Sequence, residues 1–408
     1  MIYRIPNEYR SVLLSSLPLK GSLIIFGASV IGIIIHELLV RAGREVLCFC
    51  DNDRSKHGSE LLGKRIISVN ELKEKHEGHS IIIAARAYAN IFWQLKTLHI
   101  EQVYNGAFLL DQADLSGIQI PMEHSNIQKP LNGYIHAIYS VHSKNNCMIN
   151  ALEIVVTQKC TLKCRDCSNL MQYYSKPKHC NMDVMIKSLD CIMGNIDKVM
   201  EFRLSGGEPF LNKELPFIIN TLSLYKNYDF ISIFTNGTLF PDHLLWDSLT
   251  NHNVILHITD YGNGLSKKSA EVAAYCAKHG IPFSVVSCET WRDYNGFEFH
   301  NRSKEELADT FKTCCVSDVF TLLNGKLYRC PFSANADALH AIPKFKDDFL
   351  KVSHMRDRKK SVREIFFDFI NHKDYINACN YCFPRGVDRP AIQAAMQVND
   401  HLQYVHRR

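Results

Sequence analysis

Cys160-Thr161-Leu162-Lys163-Cys164-Arg165-Asp166-Cys167 sets three thiols within eight residues, spaced C-x3-C-x2-C, just after the apolar run at residues 152–157. Neither gap is long enough to form an element of its own, so one short loop can wrap all three thiols around a common centre. Thiolates are soft ligands that select iron–sulfur clusters, zinc or copper(I) over hard cations. A cubane cluster normally takes four cysteines, and three would leave one iron open. Zinc more often takes paired C-x2-C units or histidines. The charged residues Lys163, Arg165 and Asp166 argue against a loop of three buried, unligated cysteines.

Working outward, residues 152–157 read as the first strand of an alternating βα series. Met185, Leu189, Ile192, Ile196 and Val199 recur at helical spacing, with Asn181 or Asp183 as a candidate cap. Strands are expected at 202–205, 231–235, 254–259 and 283–287, with a helix at 267–278 before the last. Repeated strand–helix units of this length predict a partial parallel α/β barrel, in which chemistry gathers where strands end and loops begin. The cysteine loop, Gly206-Gly207-Glu208-Pro209 and Thr235-Asn236 all fall at such ends.

Two glycines expose backbone groups and a proline fixes the turn. Together the octet and Gly206–Pro209, about forty residues apart, resemble the radical S-adenosylmethionine (SAM) superfamily. That resemblance implies a [4Fe–4S] cluster on Cys160, Cys164 and Cys167, with SAM on its open iron. It implies backbone contact to the SAM amino group from Gly206, Gly207 and Glu208, and ribose contacts from Thr235, Asn236 and Thr259. The reaction implied is reductive cleavage to a 5′-deoxyadenosyl radical and hydrogen abstraction from a substrate. Asp166 stands where the family often carries an aromatic residue.

Further on, Asn324-Gly325 between apolar runs marks a β-hairpin, flanked by Cys314-Cys315 and Cys330, with Cys379-Asn380-Tyr381-Cys382 beyond. This arrangement resembles the SPASM/twitch auxiliary domain, which implies a second [4Fe–4S] cluster on Cys315, Cys330, Cys379 and Cys382. Cys314 competes with Cys315, and a structural zinc on the same four cysteines is the rival reading. The tail after Pro390 is expected to be a surface helix.

Residues 22–26, 46–50 and 81–85 read as strands, with helices opening at Gly27-Ala28-Ser29-Val30-Ile31-Gly32 and at Tyr88. The fold class is therefore α/β throughout. A small doubly wound Rossmann-like module covers residues 1–115 and a linker 116–150. The radical SAM barrel follows at 151–300, a twitch-like domain with its hairpin at 301–390, and a tail at 391–408. Asp51 lies where a ribose-binding acid is expected, but Ser29 replaces the glycine that would sit closest to a pyrophosphate. A docking or structural role is favoured for this module.

The chain has 408 residues, 46% hydrophobic and 22% charged, with a net charge of +5. That charge is too mild to point to nucleic acid, and the basic run at 356–360 reads as a solvated face. The apolar stretch at 23–40 contains His36 and Glu37 and a glycine turn, which argues against a membrane span. Fifteen cysteines without a secretory signal place the chain, by expectation, in the reducing cytoplasm. The expected partners are a small-molecule or peptide substrate and an electron donor such as flavodoxin or ferredoxin. The substrate reading is a sugar- or nucleotide-linked small molecule, oxidised or epimerised. Maturation of a ribosomally made peptide, and a non-catalytic iron–sulfur scaffold or redox sensor, stand as alternatives. No residue is singled out as hydrogen donor or acceptor.

Overall fold

The computed structural model describes residues 22–76, 78–111, 113–118, 128–142, 147–251, 254–262, 264–294, 296–314, 316–353, 355, 361–371, 374–383 and 389–404. Cys315, the basic run at 356–360 and the first 21 residues lie outside them. The chain divides into two compact units, up to Asn146 and from Cys147 onward.

The first unit carries β1 (Leu23–Phe26), α1 (Val30–Arg41), β2 (Val46–Cys50), β3 (Glu60–Leu61), β4 (Lys64–Ile67), α2 (Val69–Lys75), β5 (Ser80–Ile83), α3 (Tyr88–Thr97), β6 (Val103–Asn105) and α4 (Ala107–Leu110). The strand order is β3-β4-β2-β1-β5-β6, parallel except for the β3–β4 pair. It grows outward from β1 in both directions, so successive crossovers cover opposite faces of the sheet. Every residue of β1 and β5 is buried, as expected of central strands covered on both faces.

One expectation fails here. The stretch 116–150 contains α5 (Gln128–His142), not only linker. Leu131, Tyr134, Ile135 and Ile138 are fully buried at helical spacing, and the Tyr134 hydroxyl accepts from Gly106 N and donates to Ile83 O. Asn132 and Gly133 interrupt that stripe and lower helix propensity; burial of the other face restores it.

The second unit begins with β7 (Met148–Thr157), α6 (Met182–Met193), β8 (Lys198–Gly206), α7 (Leu215–Leu222), β9 (Tyr228–Thr235), α8 (His243–Asn251), β10 (Val254–Asp260), α9 (Ser269–His279) and β11 (Phe283–Ser287). It continues with β12 (Thr290–Arg292), α10 (Lys304–Thr313), β13 (Val319–Leu323), β14 (Lys326–Tyr328), α11 (Pro331–Ala338), β15 (Phe349–Lys351), α12 (Val362–Asn371) and β16 (Ala391–Gln393). Asn181 caps α6, accepting from Val184 N. The expected stripe outruns that helix: Ile196 lies in the following turn and Val199 in β8.

The main sheet runs β11-β10-β9-β8-β7-β13-β14-β15, parallel from β11 to β13. Here the order from β7 to β11 is monotonic, so each right-handed crossover lands its helix on the same face. Leu152, Ile154, Phe202, Leu204, Ile231, Ile233, Leu256 and Ile258 meet Leu189, Ile192, Ile218, Leu249 and Val272 in one continuous core. Burying a side chain of this size contributes roughly 1.5–3 kcal/mol. The alternate positions Glu153, Arg203, Ser232 and His257 belong to the other face, where Arg203 Nε and Nη2 bond Glu201 Oε2 at 3.0 and 2.9 Å.

The hairpin forms as expected, with Asn324 and Gly325 both at positive φ (51° and 76°), the geometry of a type I′ turn. It is not a separate module, however. β13 pairs in parallel with β7, so the hairpin extends the main sheet. Without it the first strand of the series would be an edge with unpaired backbone groups.

The tail also differs from expectation. It holds no described helix; β16 pairs antiparallel with β12, and the chain then turns at Ala394–Ala395 and bridges to Cys164 at Gln397. Among the described residues, no helix is long and apolar enough to cross a membrane.

Candidate functional site

The cysteine loop leaves β7 at Thr157, whose hydroxyl accepts from Lys159 N at 3.0 Å. The turn after β8 is zipped to it: Gly207 N donates to Thr157 O at 2.9 Å and Glu208 N to Lys159 O at 2.8 Å. A Cβ on Gly207 would stand 2.0 Å from Lys159 O and 3.0 Å from Cys160 N. On Gly206, at φ +130°, it would stand 2.0 Å from Thr157 O. Both glycines are therefore required for two backbones to touch, which docks the cysteine loop onto the sheet. Asn169, from the far end of the loop, donates to Gly206 O at 3.2 Å.

Glu208 is fully buried and braces the ends of β8 and β9. Its Oε1 accepts from Thr235 Oγ1 (2.8 Å) and Phe210 N (3.1 Å), and its Oε2 from Asn236 N (2.8 Å). Burial pushes its carboxyl up to about 7 against the pull of these three donors. Thr235, expected at a ribose, is instead buried with its hydroxyl bonded to Glu208, so that expectation is corrected. Asn236 faces the loop: its Nδ2 bonds Thr161 Oγ1 at 3.1 Å and Cys160 Sγ at 3.5 Å. Thr259 is half-buried at the end of β10, and its carbonyl accepts from Ser266 Oγ at 3.2 Å.

Cys160, Cys164 and Cys167 share this loop. Burial pushes the Cys160 thiol up to about 12, against a hydrogen bond from Leu162 N, and Cys164 up to about 11, against one from Gln397. Such thiols stay protonated at neutral pH until a cation displaces the proton. Among the described residues, no three histidine, cysteine or acidic side chains converge as they would on a single metal ion. A cubane seats its cysteines on separate irons and does not require that convergence.

Further along, Cys330 caps α11, its Sγ accepting from Ser333 N at 3.3 Å. It lies in one apolar cluster with Cys379 and Cys382, which belong to the turn Asn377–Tyr381 and its cap. Arg302 Nη1 clamps the carbonyls of Cys379 and Cys382, the latter at 3.0 Å. Burial first, then Cys330 and Cys382, pushes the Cys379 thiol far above its ordinary range. The structure thus brings three of the four proposed auxiliary ligands together. Cys314 is half-buried at the end of α10, and Cys315 lies outside the described residues.

A family model described as "C2185-like, N-terminal" matches residues 19–103. The GTP 3′,8-cyclase of Campylobacter jejuni subsp. doylei is 36% identical over 95 residues, 23% of this chain and 29% of that protein. The Clostridium acetobutylicum GTP 3′,8-cyclase is 35% identical over 103 residues, 24% and 30% of the two chains. The matched region thus spans about three-tenths of the length of these relatives. These relatives support the resemblance to the radical SAM superfamily. Among solved structures, BtrN in complex with AdoMet and 2-DOIA is 14% identical, covering 57% of this chain and 92% of that one, at a TM-score of 0.37. Native anSMEcpe with bound AdoMet is 15% identical over 53% and 82%, also at 0.37.

Two features of this site lie outside the motifs that announced it. Tyr261, just beyond β10, is held far above its ordinary range first by burial and then by Cys164, Cys167, Cys288 and Cys160. Its ring meets Trp291 edge-on at 5.6 Å. An aromatic residue two positions past Thr259, at a strand's C-terminal end, was the available clue. Gln397 donates to Cys164 Sγ at 3.3 Å from 233 residues away, a separation that no motif spans.

Proposed function

We propose that this chain is a radical SAM enzyme that reductively cleaves S-adenosylmethionine and abstracts hydrogen from a sugar- or nucleotide-linked small molecule, oxidising or epimerising it. The observation that carries the reading is the seam between the Gly206–Glu208 turn and the cysteine loop at the ends of β7 and β8. Three thiols on one loop, with amide donors from Asn236 and Gln397 aimed at two of the sulfurs, fit a cluster with one open iron. When bound, that cluster and SAM supply one-electron cleavage to methionine and a 5′-deoxyadenosyl radical.

The chain's own residues position and shield. Cys160, Cys164 and Cys167 would hold the cluster, and Gly206, Gly207 and Glu208 would present backbone to SAM. Asn236 and Thr259 would meet the ribose, and Tyr261 would supply the aromatic surface that Asp166 does not. On the sheet face that carries Glu153 and Arg203, Arg203 and the His257–Ser284 pair (2.8 Å) would offer hydrogen bonds to a hydroxyl-bearing substrate. Cys315, Cys330, Cys379 and Cys382 would hold an auxiliary cluster, with Arg302 fixing their turn. A cytoplasmic flavodoxin- or ferredoxin-type donor would deliver the electron. The first unit is read as a Rossmann-like docking module.

Anaerobically reconstituted, dithionite-reduced protein should release 5′-deoxyadenosine slowly from SAM, detected by mass spectrometry, and Cys164→Ala should abolish the release. Wild-type protein with a reducible cluster and no 5′-deoxyadenosine would instead be an iron–sulfur scaffold.

A further inference from the structure

The last described stretch of the chain, residues 389–404, lies across the cysteine loop as a strap anchored on both sides of it. Upstream, β16 pairs with β12, and Ala394 N donates to Glu289 O at 2.9 Å. Downstream, Leu402 N donates to Gln172 O at 2.7 Å, and the Tyr404 ring packs on Tyr173 and Phe297 at 5.8 and 5.5 Å. Between these anchors the strap pairs with the loop itself. Arg165 N donates to Met396 O at 2.7 Å, Val398 N to Lys163 O at 2.8 Å, and Lys163 Nζ to Asn399 O at 2.7 Å.

At the centre sits Gln397. Its Oε1 accepts from Lys163 N at 2.7 Å, and its Nε2 donates to Ala395 O at 2.6 Å and to Cys164 Sγ at 3.3 Å. A backbone donor on one side and a backbone acceptor on the other leave the amide a single orientation. Its second N–H is therefore directed at the sulfur. Ala395, 1% exposed and at φ 52°, turns the strap so that the side chain reaches inward.

We propose that Gln397 is a positioning residue for the cluster-binding loop, and that its amide N–H to Cys164 raises the reduction potential of the cluster held there. This rests on the cluster reading above. A hydrogen bond to a ligating sulfur stabilises the more negatively charged, reduced cluster, and such bonds are among the factors that set cluster potentials.

The test uses full-length reconstituted protein, with EPR-monitored redox titration of the signal that SAM perturbs, alongside iron and sulfide analysis. Gln397→Leu removes the donor at nearly constant volume. Gln397→Glu keeps an acceptor for Lys163 N but sets a carboxylate oxygen near the sulfur. Both variants should hold wild-type iron, with midpoint potentials falling in the order wild type, Leu, Glu. If the residue only fixed the loop, Gln397→Glu would match wild type in potential, and that outcome overturns the proposal. Should the Leu variant lose its cluster, the Glu variant still decides, because its loop contact survives. If the Cys160/Cys164/Cys167 triple Ala variant binds as much iron as wild type, the cluster reading itself fails, and this proposal with it.

Discussion

At the scale of single residues, glycine and glutamate in the Gly206–Pro209 turn do structural work beyond what their motif suggests. Gly207 is needed because a Cβ would press into the Lys159–Cys160 backbone. Gly207→Ala is therefore expected to shift the cysteine loop, at about 1–3 kcal/mol of overpacking strain, and to lower the iron retained by the triad along with SAM binding. Wild-type iron content in that variant would show that the seam tolerates the methyl group. Glu208 gives a pH signature. Its carboxyl lies at about 7 when folded against 4.5 ordinarily, so the folded state holds a proton that the unfolded state has lost between those values. Stability from this group is complete below about pH 4.5 and is lost as pH rises through about 7, by about 3 kcal/mol. Thermal unfolding of metal-free protein from pH 4.5 to 8 should show this fall, and Glu208→Gln should flatten it. A wild-type profile with the same slope as the variant would contradict the assignment.

Among elements, what could be read from the sequence was local, and what could not was long-range. The alternation of Ile231, Ser232, Ile233 and Phe234 identifies β9, and Asn324-Gly325 specifies its turn, because backbone sterics act within a few residues. The pairing of that hairpin with β7 depends on which edge needs a partner, a property of the assembled sheet. Likewise the residue types of the triad and of the Gly206 turn announced the site, while Tyr261 and Gln397 reach it through the fold alone. Thr235 misled for the same reason: a threonine at a strand end looks alike whether its hydroxyl faces a cleft or a buried carboxylate. The hairpin offers a direct test. Gly325 has φ +76°, and a Cβ there would sit 2.8 Å from Ser353 Oγ and 3.0 Å from Val184 Cγ1. Gly325→Ala should cost about 1–3 kcal/mol, read from denaturant midpoints. An unchanged midpoint would mean that the turn relaxes freely.

For the molecule as a whole, the two units use parallel sheets in opposite ways. The first grows both ways from β1 and buries both faces; the second runs in chain order from β7 to β11 and sets Glu153, Arg203, Ser232 and His257 on the face opposite its main core. In the first unit the glycine turn is already filled from within. Ala28 N donates to Asp51 Oδ2 at 2.8 Å, Asp53 N to Asp51 Oδ1 at 2.8 Å, and Lys56 Nζ lies 3.2 Å from Asp51 Oδ2. The acid expected on a ribose is spent holding its own loop. Calorimetric titration of the full chain with NAD should accordingly give no saturable heat at micromolar concentrations; a clear one-site isotherm would return this unit to nucleotide binding.

The strap also sets a timetable. Cys164 leaves the ribosome 233 residues before the glutamine that bonds it. A nascent chain therefore exposes an unlatched thiol loop until Gln397 has itself emerged. Any metal delivered to the loop before that point would meet Cys164 without its amide donor, an open buckle rather than a fastened one.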